Sequence, residues 1–332
     1  MSVVQQYLEL FRGRGDAYGS WEGRSIREPV TPHHFEKHLT STSPKDWIGV
    51  YPNLGEHVSW GCIDIDGADF PKNESVNNPN YDRKNPDWHN WSAMHDLATR
   101  LVDALAYKNV HGHIEKTRNG YHIWVFPDQP LIEASTMRRA LMAACKVCNY
   151  NPKEVNPKQE KLAPGKLGNY VRLPYHGALS NQPPTPKERH FITHNNEQNI
   201  IHIEQFVQNV QRTPVNNLRT ISKLWTPPTT SFETNFDAGL EAQPIVRHLP
   251  GLAYTIWRDG PLQGKDRSST LTHLAHLCAE HNITPKEAFV VVKSADERHG
   301  RKFAERADGE EQIAKIVTHA YSQIDRNTVH QP

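Results

Sequence analysis

Asp64-Ile65-Asp66 closes the apolar run Trp60-Gly61-Cys62-Ile63, a pattern that predicts a strand. Side chains alternate faces along a strand, so the two carboxylates point one way while Ile63 and Ile65 face the core. Neighbouring carboxylates repel unless a cation lies between them. Hard oxygen ligands of this kind suit Mg²⁺ or Mn²⁺, and such pairs serve enzymes that transfer phosphoryl or nucleotidyl groups. The alternative is a pair of solvated charges at a strand end before Gly67.

Two further segments carry candidate chemistry. In Glu115-Lys116-Thr117-Arg118-Asn119-Gly120-Tyr121-His122-Ile123-Trp124, the residues Lys116, Thr117 and Arg118 are expected in a tight turn. There Asn119-Gly120 lets the backbone come close enough to cradle a phosphate. His122, two residues past Gly120, can donate to a phosphate oxygen; without a ligand the segment is a hairpin with a surface histidine. The third segment runs from Lys153-Glu154-Val155-Asn156-Pro157-Lys158-Gln159 to Gly168-Asn169-Tyr170-Val171-Arg172-Leu173-Pro174. Residues 151–190 hold seven Lys/Arg against three acids. Such an excess suits a triphosphate or a nucleic-acid backbone, or forms a solvated basic loop.

The elements that must position these residues alternate between helix and strand. Val3, Val4, Tyr7, Leu8 and Phe11 mark one helical face, and Thr31-Pro32 opens a second helix with Phe35 and Leu39 inward. Trp47–Tyr51 and Trp60–Ile65 are expected strands, and the polar stretch from Pro71 to Trp88 an exposed loop. A helix with Met94, Leu97, Ala98, Leu101, Val102 and Leu105 inward precedes the strands Val110–Glu115 and Tyr121–Phe126, which join around Asn119-Gly120. A helix over Glu133–Cys148 and a short strand over Tyr170–Pro174 complete an α+β half. Residues 213–245, loose around Thr226-Pro227-Pro228-Thr229-Thr230-Ser231, are expected to be a linker after a domain of residues 1–212. Residues 246–325 then form a small all-α domain. Its stripes are Leu271, Leu274, Leu277, Cys278 and Ile313, Ile316, Val317, Ala320, Tyr321, Ile324, with a capping box at Thr284-Pro285-Lys286-Glu287 between them.

Composition narrows the classes. The chain of 332 residues has 38 Lys+Arg against 37 Asp+Glu, so it is no bulk polycation, and contact with nucleic acid needs a local patch. No apolar run reaches the ~18–20 residues of a membrane span, and the start lacks the long apolar stretch of a signal peptide. Four cysteines do not make a disulfide framework in a chain of this length. A cytoplasmic protein without a membrane partner is expected.

The order of these motifs resembles the archaeo-eukaryotic primase superfamily, nearest to the primase-polymerases of phages, plasmids and bacterial conflict systems. DxD on a strand is followed by a hairpin with Gly120 and His122, then by Glu154 before Pro157-Lys158-Gln159, then by Gly168-Asn169-Tyr170-Val171-Arg172-Leu173-Pro174. The opening fits as well, with Tyr7, Leu10-Phe11-Arg12-Gly13-Arg14, Pro29-Val30-Thr31, His38-Leu39 and Ile48-Gly49-Val50-Tyr51-Pro52. The resemblance covers about residues 1–180. It implies a catalytic domain with a mixed or antiparallel sheet flanked by helices, and a two-metal nucleotidyltransferase using two Mg²⁺ or Mn²⁺ ions. Asp64 and Asp66 would be the first metal-binding pair and Glu154 the third ligand. His122 would contact the nucleotide phosphates, with Lys158, Asn169 and Arg172 near the incoming nucleotide. Single-stranded DNA template, a primer strand and NTP or dNTP are the implied partners, with a replicative helicase a further one. The helical tail, with Gly264-Lys265-Asp266-Arg267-Ser268 before a helix, resembles the C-terminal domains of such primases, which assist priming or template contact.

Other motifs carry less. Cys145-Lys146-Val147-Cys148 has a zinc-knuckle gap, but no second pair follows at zinc-finger spacing, so buried thiols are expected. His111-Gly112-His113 lacks the apolar centre of a rolling-circle nuclease motif. Two other functions fit the same residues: a metal-dependent nicking endonuclease of a replication initiator, and a non-catalytic DNA-binding replication protein.

Overall fold

The computed structural model describes residues 1–72, 78, 82, 84–162, 165–182, 189–226, 241–261, 267–281, 283–299, 302, 303, 305 and 308–328. The chain divides into two compact units, residues 1–227 and 228–332.

The first unit begins with helix α1 (Val3–Leu10), strands β1 (Tyr18–Gly19) and β2 (Ser25–Ile26), helix α2 (Pro32–Thr40), and strands β3 (Gly49–Val50), β4 (His57–Val58) and β5 (Gly61–Asp66). Helix α3 (Trp91–Ala106) leads to the hairpin β6 (Gly112–Lys116) and β7 (Gly120–Val125), then β8 (Ile132–Glu133) and α4 (Ala134–Val147). Strands β9 (Glu154–Asn156) and β10 (Val171–Arg172) precede a second hairpin, β11 (His190–Thr193) and β12 (Asn196–Ile201), and helices α5 (Ile203–Asn209) and α6 (Val215–Ser222).

Six strands form one antiparallel sheet in the order β12-β11-β6-β7-β5-β9. One face carries Ile63, Ile65, Ile114, Ile123 and Val155, which pack on Leu97, Leu101, Met137, Leu141 and Leu218 of α3, α4 and α6. The opposite face carries Cys62, Trp124 and Phe191 against Tyr7, Phe11, Leu39 and Phe206 of α1, α2 and α5. Burying each such large side chain contributes about 1.5–3 kcal/mol. A smaller antiparallel sheet, β10-β3-β1-β2, sets Arg172 beside Gly49 and Gly49 beside Gly19. The α+β architecture with antiparallel sheets and flanking helices is the expected one.

The expected linker at 213–245 opens with a helix, α6. Val215, Leu218 and Ile221 are buried on one side of α6, so polar Asn216 and Asn217 are the outer face of a helix belonging to the first unit. Residues 227–240 lie outside the described residues, as do Gly264-Lys265-Asp266 and most of the stretch between Pro71 and Trp88, where Pro86–Trp88 is a short 3₁₀ turn.

The second unit is helical: α7 (Ala242–Val246), α8 (Gly251–Asp259), α9 (Arg267–Glu280), α10 (Pro285–Arg298) and α11 (Gly309–Thr328). Its core joins Leu274, Cys278, Val291, Val292, Ile313 and Val317. The capping box is formed: Thr284 N–H donates to Glu287 Oε2 at 2.9 Å, and Glu287 N–H donates to Thr284 Oγ1 at 3.4 Å. Among the described residues no helix is long and apolar enough to cross a membrane.

Two histidines, His38 buried and His113 half-buried, tie the first unit to its neutral-pH state. His38 Nε2 donates to Pro174 O at 2.8 Å and Nδ1 accepts from Ile48 N–H at 3.4 Å, so the ring is held neutral. Burial lowers His38 to about 3 and His113, which donates to Gln211 O, to about 4. The unfolded rings take up protons near pH 6.5 while the folded ones do not, so stability falls as pH drops from 6.5 towards 4. Between pH 7 and pH 5 the loss is expected at about 2 kcal/mol per histidine. Urea unfolding followed by tryptophan fluorescence at the two pH values measures it, and His38→Gln should flatten the dependence.

Candidate active site

Strand register assembles the site. In the β5–β7 pairing Asp64 lies opposite His122, and in the β5–β9 pairing it lies opposite Glu154. His122 in turn lies opposite Glu115 on β6. Directly opposed residues of antiparallel strands share a face, so Glu154, Asp64, His122 and Glu115 form one polar row across four strands. The row sits on the α1–α2–α5 side of the sheet, next to the row containing Cys62 and Trp124.

A cleft of about 420 Å³ opens over the row. The large sheet contributes Asp64, His122, Glu154 and Asn156 to its lining, and Arg189 joins them just before β11. The smaller sheet and its flanks contribute Ser25, Tyr51, Tyr170 and Arg172. Asn169 completes the lining beside Glu154, whose Oε1 accepts from Asn169 Nδ2 at 3.4 Å and Asn156 Nδ2 at 3.2 Å. Arg172 Nη2 donates to Trp21 O at 2.6 Å, and its guanidinium lies 5.9 Å from the Trp47 ring centre. Tyr170 lies edge-on to Tyr51, whose hydroxyl donates to Ser25 Oγ at 2.6 Å.

Behind the cleft is a fully buried charge cluster. Glu115 has no solvent exposure. Arg189 donates to it through Nε at 2.5 Å and Nη2 at 3.2 Å, and Trp124 Nε1 donates to Oε2 at 2.6 Å. Burial alone would raise Glu115, but Arg189 and His122 outweigh it and hold the carboxyl at about 2. His122 Nε2 lies 3.4 Å from Asp64 Oδ1, and Nδ1 lies 3.0 Å from Glu115 Oε2. Desolvation pulls the imidazole down, yet the Cys62 sulfur and the Glu115 and Asp64 carboxylates more than offset it, so His122 titrates well above its ordinary value.

Five of the residues expected from sequence therefore meet in one cleft: Asp64, His122, Glu154, Asn169 and Arg172. The others do not line it. Asp66 points to the same side of β5 but accepts from Ala68 N–H at 3.0 Å, capping the 3₁₀ turn Gly67–Asp69. Lys158 stands 3.8 Å from Glu154 Oε2. Lys116 belongs to β6 rather than to the turn, and its register with Tyr121 puts it on the opposite face, paired with Glu197 at 3.1 Å. Thr117 fills the turn itself, its hydroxyl accepting from Asn119 N–H at 3.3 Å and Gly120 N–H at 3.0 Å. The turn amides expected to cradle a phosphate are thus already bonded, and Arg118 is exposed at the tip. Much of the expected basic patch is paired within the chain: Lys153 with Asp69, Lys158 with Glu154, and Lys161 with Glu56. Cys145 and Cys148 are free thiols.

Among the described residues no three His, Cys, Asp or Glu side chains form a ready metal-binding cluster. The donor chemistry nonetheless fits a hard divalent ion. Asp64 and Glu154 present carboxylate oxygens directly across a strand pair, where like charges are destabilising, and Asp66 follows on the same face.

The residues that sequence reasoning passed over are Glu115, Arg189, Asn156, Ser25, Tyr51 and Tyr170. Glu115 carried a signal, since an acid among Ile114, Ile123 and Trp124 in a buried hairpin demands a partner. Arg189 follows a Pro-rich stretch 74 residues later and carried none.

A family model described as the TOTE conflict system, Archaeo-Eukaryotic Primase domain, matches residues 23–221. Comparison with curated proteins yields no match. A solved structure titled "Crystal structure of primase RepB'" aligns over 98% of this chain and 98% of its own, at 11% identity and a TM-score of 0.31. At that score the likeness carries no argument.

If Glu154 and Asp64 repel across the strand pair, Glu154→Gln should stabilise the protein in chelator by about 0.2–1 kcal/mol. Mn²⁺ should raise the melting temperature of the unmodified protein and fail to do so for this variant. Thermal scans with EDTA and with Mn²⁺ measure both effects.

Proposed function

The chain belongs to the archaeo-eukaryotic primase domain family of TOTE conflict systems, and from that premise we propose that it is a DNA primase-polymerase. The reaction is template-dependent nucleotidyl transfer: a primer 3′-hydroxyl attacks the α-phosphate of an NTP or dNTP, and pyrophosphate leaves. The observation that carries this reading is the row Glu154–Asp64–His122 facing Arg172 across one cleft.

Asp64 and Glu154, joined by Asp66, are the residues to hold Mg²⁺ or Mn²⁺. An ion held there would supply Lewis-acid chemistry, lowering the pKa of an attacking hydroxyl and offsetting triphosphate charge. Asp66 can take part through Oδ2 while Oδ1 keeps the Ala68 amide. His122 presents Nε2 from the floor of the cleft as a donor to a phosphate oxygen. Arg172 from the smaller sheet and Arg189 beside the large one bring guanidinium charge to the cleft, where fixed donors stabilise developing negative charge. Asn169 keeps Glu154 turned into the cleft through their hydrogen bond. Tyr170, half-buried in the lining, offers aromatic surface on which a base can stack. Single-stranded template would follow the remaining basic surface; the exposed ion pairs of Lys153 and Lys161 are weak enough to exchange for phosphates.

The deciding assay incubates the protein with single-stranded DNA, labelled nucleotides and Mg²⁺ or Mn²⁺, with and without an annealed primer. Extension or de novo products support the reading. A covalent protein–DNA adduct formed without nucleotides would indicate a nicking enzyme, and binding without turnover a passive replication protein. Asp64→Ala and Asp66→Ala should each abolish synthesis with unchanged circular dichroism. His122→Ala should lower kcat/KM for the nucleotide by at least about tenfold, the worth of one hydrogen bond to a charged group.

A further inference from the structure

Glu115 is a carboxylate with no solvent exposure. Burying a carboxylate costs several kcal/mol unless cations and donors compensate, and apolar replacements of buried ion pairs are often neutral or stabilising. What the charge does must therefore be sought in what it touches. Arg189 grips both carboxylate oxygens and Trp124 anchors Oε2 from the neighbouring row, so the Glu115 carboxylate is immobilised. Its Oε2 stands 3.0 Å from His122 Nδ1. On the other side of the ring Nε2 faces Asp64 and the cleft. A ring held by one nitrogen can present only the other.

We propose that Glu115 is a positioning residue for His122, accepting a hydrogen bond from Nδ1–H and so aiming Nε2–H at a nucleotide phosphate oxygen. This inference rests on the primase reading for the identity of the ligand, and on the contacts of Nδ1 with Glu115 and of Nε2 with Asp64 for the orientation of the ring. The competing arrangement is local: Arg189 Nη2 lies 2.7 Å from the same Nδ1. Were Nδ1 the acceptor of that donor, Glu115 would not hold the ring.

Two measurements decide between them. In the full chain labelled with ¹⁵N-histidine, a slowly exchanging Nδ1–H signal that vanishes in His122→Ala is expected; an unprotonated His122 Nδ1 overturns the proposal. In primer extension, Glu115→Gln should raise the nucleotide KM on the order of tenfold, the worth of one hydrogen bond to a charged group. Its kcat should change less than about twofold, whereas a merely structural role lowers the active fraction and leaves KM alone. The KM effect should disappear in the His122→Ala background. An unchanged KM, or an equal effect in both backgrounds, overturns the proposal. If Glu115→Gln does not fold, the imidazole signal of the unmodified protein still decides it. If the unmodified protein incorporates no nucleotide, the primase reading fails while that signal continues to report on Glu115.

Discussion

The register of β5 between β7 and β9 is the constraint on which the site depends. Antiparallel pairing aligns Asp64 with His122 on one side and with Glu154 on the other. A slip of one residue would turn the carboxylates into the α3–α4 core and bring Ile63 and Ile65 into the cleft. The apolar residues thus enforce the position of the polar ones: Ile63 and Ile65 are fully buried, and a slipped pairing would forfeit their burial. Arg138 pins the edge strand as well, donating to Val155 O at 2.8 Å and Pro157 O at 3.0 Å.

Electrostatics then grades the row from dry to wet. Glu115 is sealed beneath the sheet face, His122 is nearly covered, and Asp64 and Glu154 have partly exposed side chains. Fixed charges sit where the dielectric is low and their geometry is most sharply defined, while the carboxylates of the cleft face solvent. Arg189 links the two regimes, since it neutralises Glu115 and also lines the cleft.

How much of this was legible in the sequence follows from range. The strand period around Asp64, the stripe of α3, and the Thr284–Glu287 box are local patterns, and all three took the expected form. The hairpin after Ile114 was legible as a hairpin but not in its turn. The connection is only Thr117–Asn119, shorter than the expected turn, which leaves Lys116 in the strand and on the far face. Strand β12, with Asn196, Glu197, Gln198 and Asn199, lacks a β-like composition, and its pairing with β11 is what makes it a strand. The Glu115–Arg189 contact joins positions 74 apart across the fold, and no spacing rule anticipates such a pair.

Tyr170 packs against backbone left bare by Gly19 and Gly49, where any β-carbon would collide with its ring. Two neighbouring strands forgo side chains so that a single phenol can lie flush against them. The floor of that half of the cleft is consequently a rigid plate, with its depth fixed before any guest arrives. Enlarging either glycine would push the plate inward and narrow the slot without touching a single charged group.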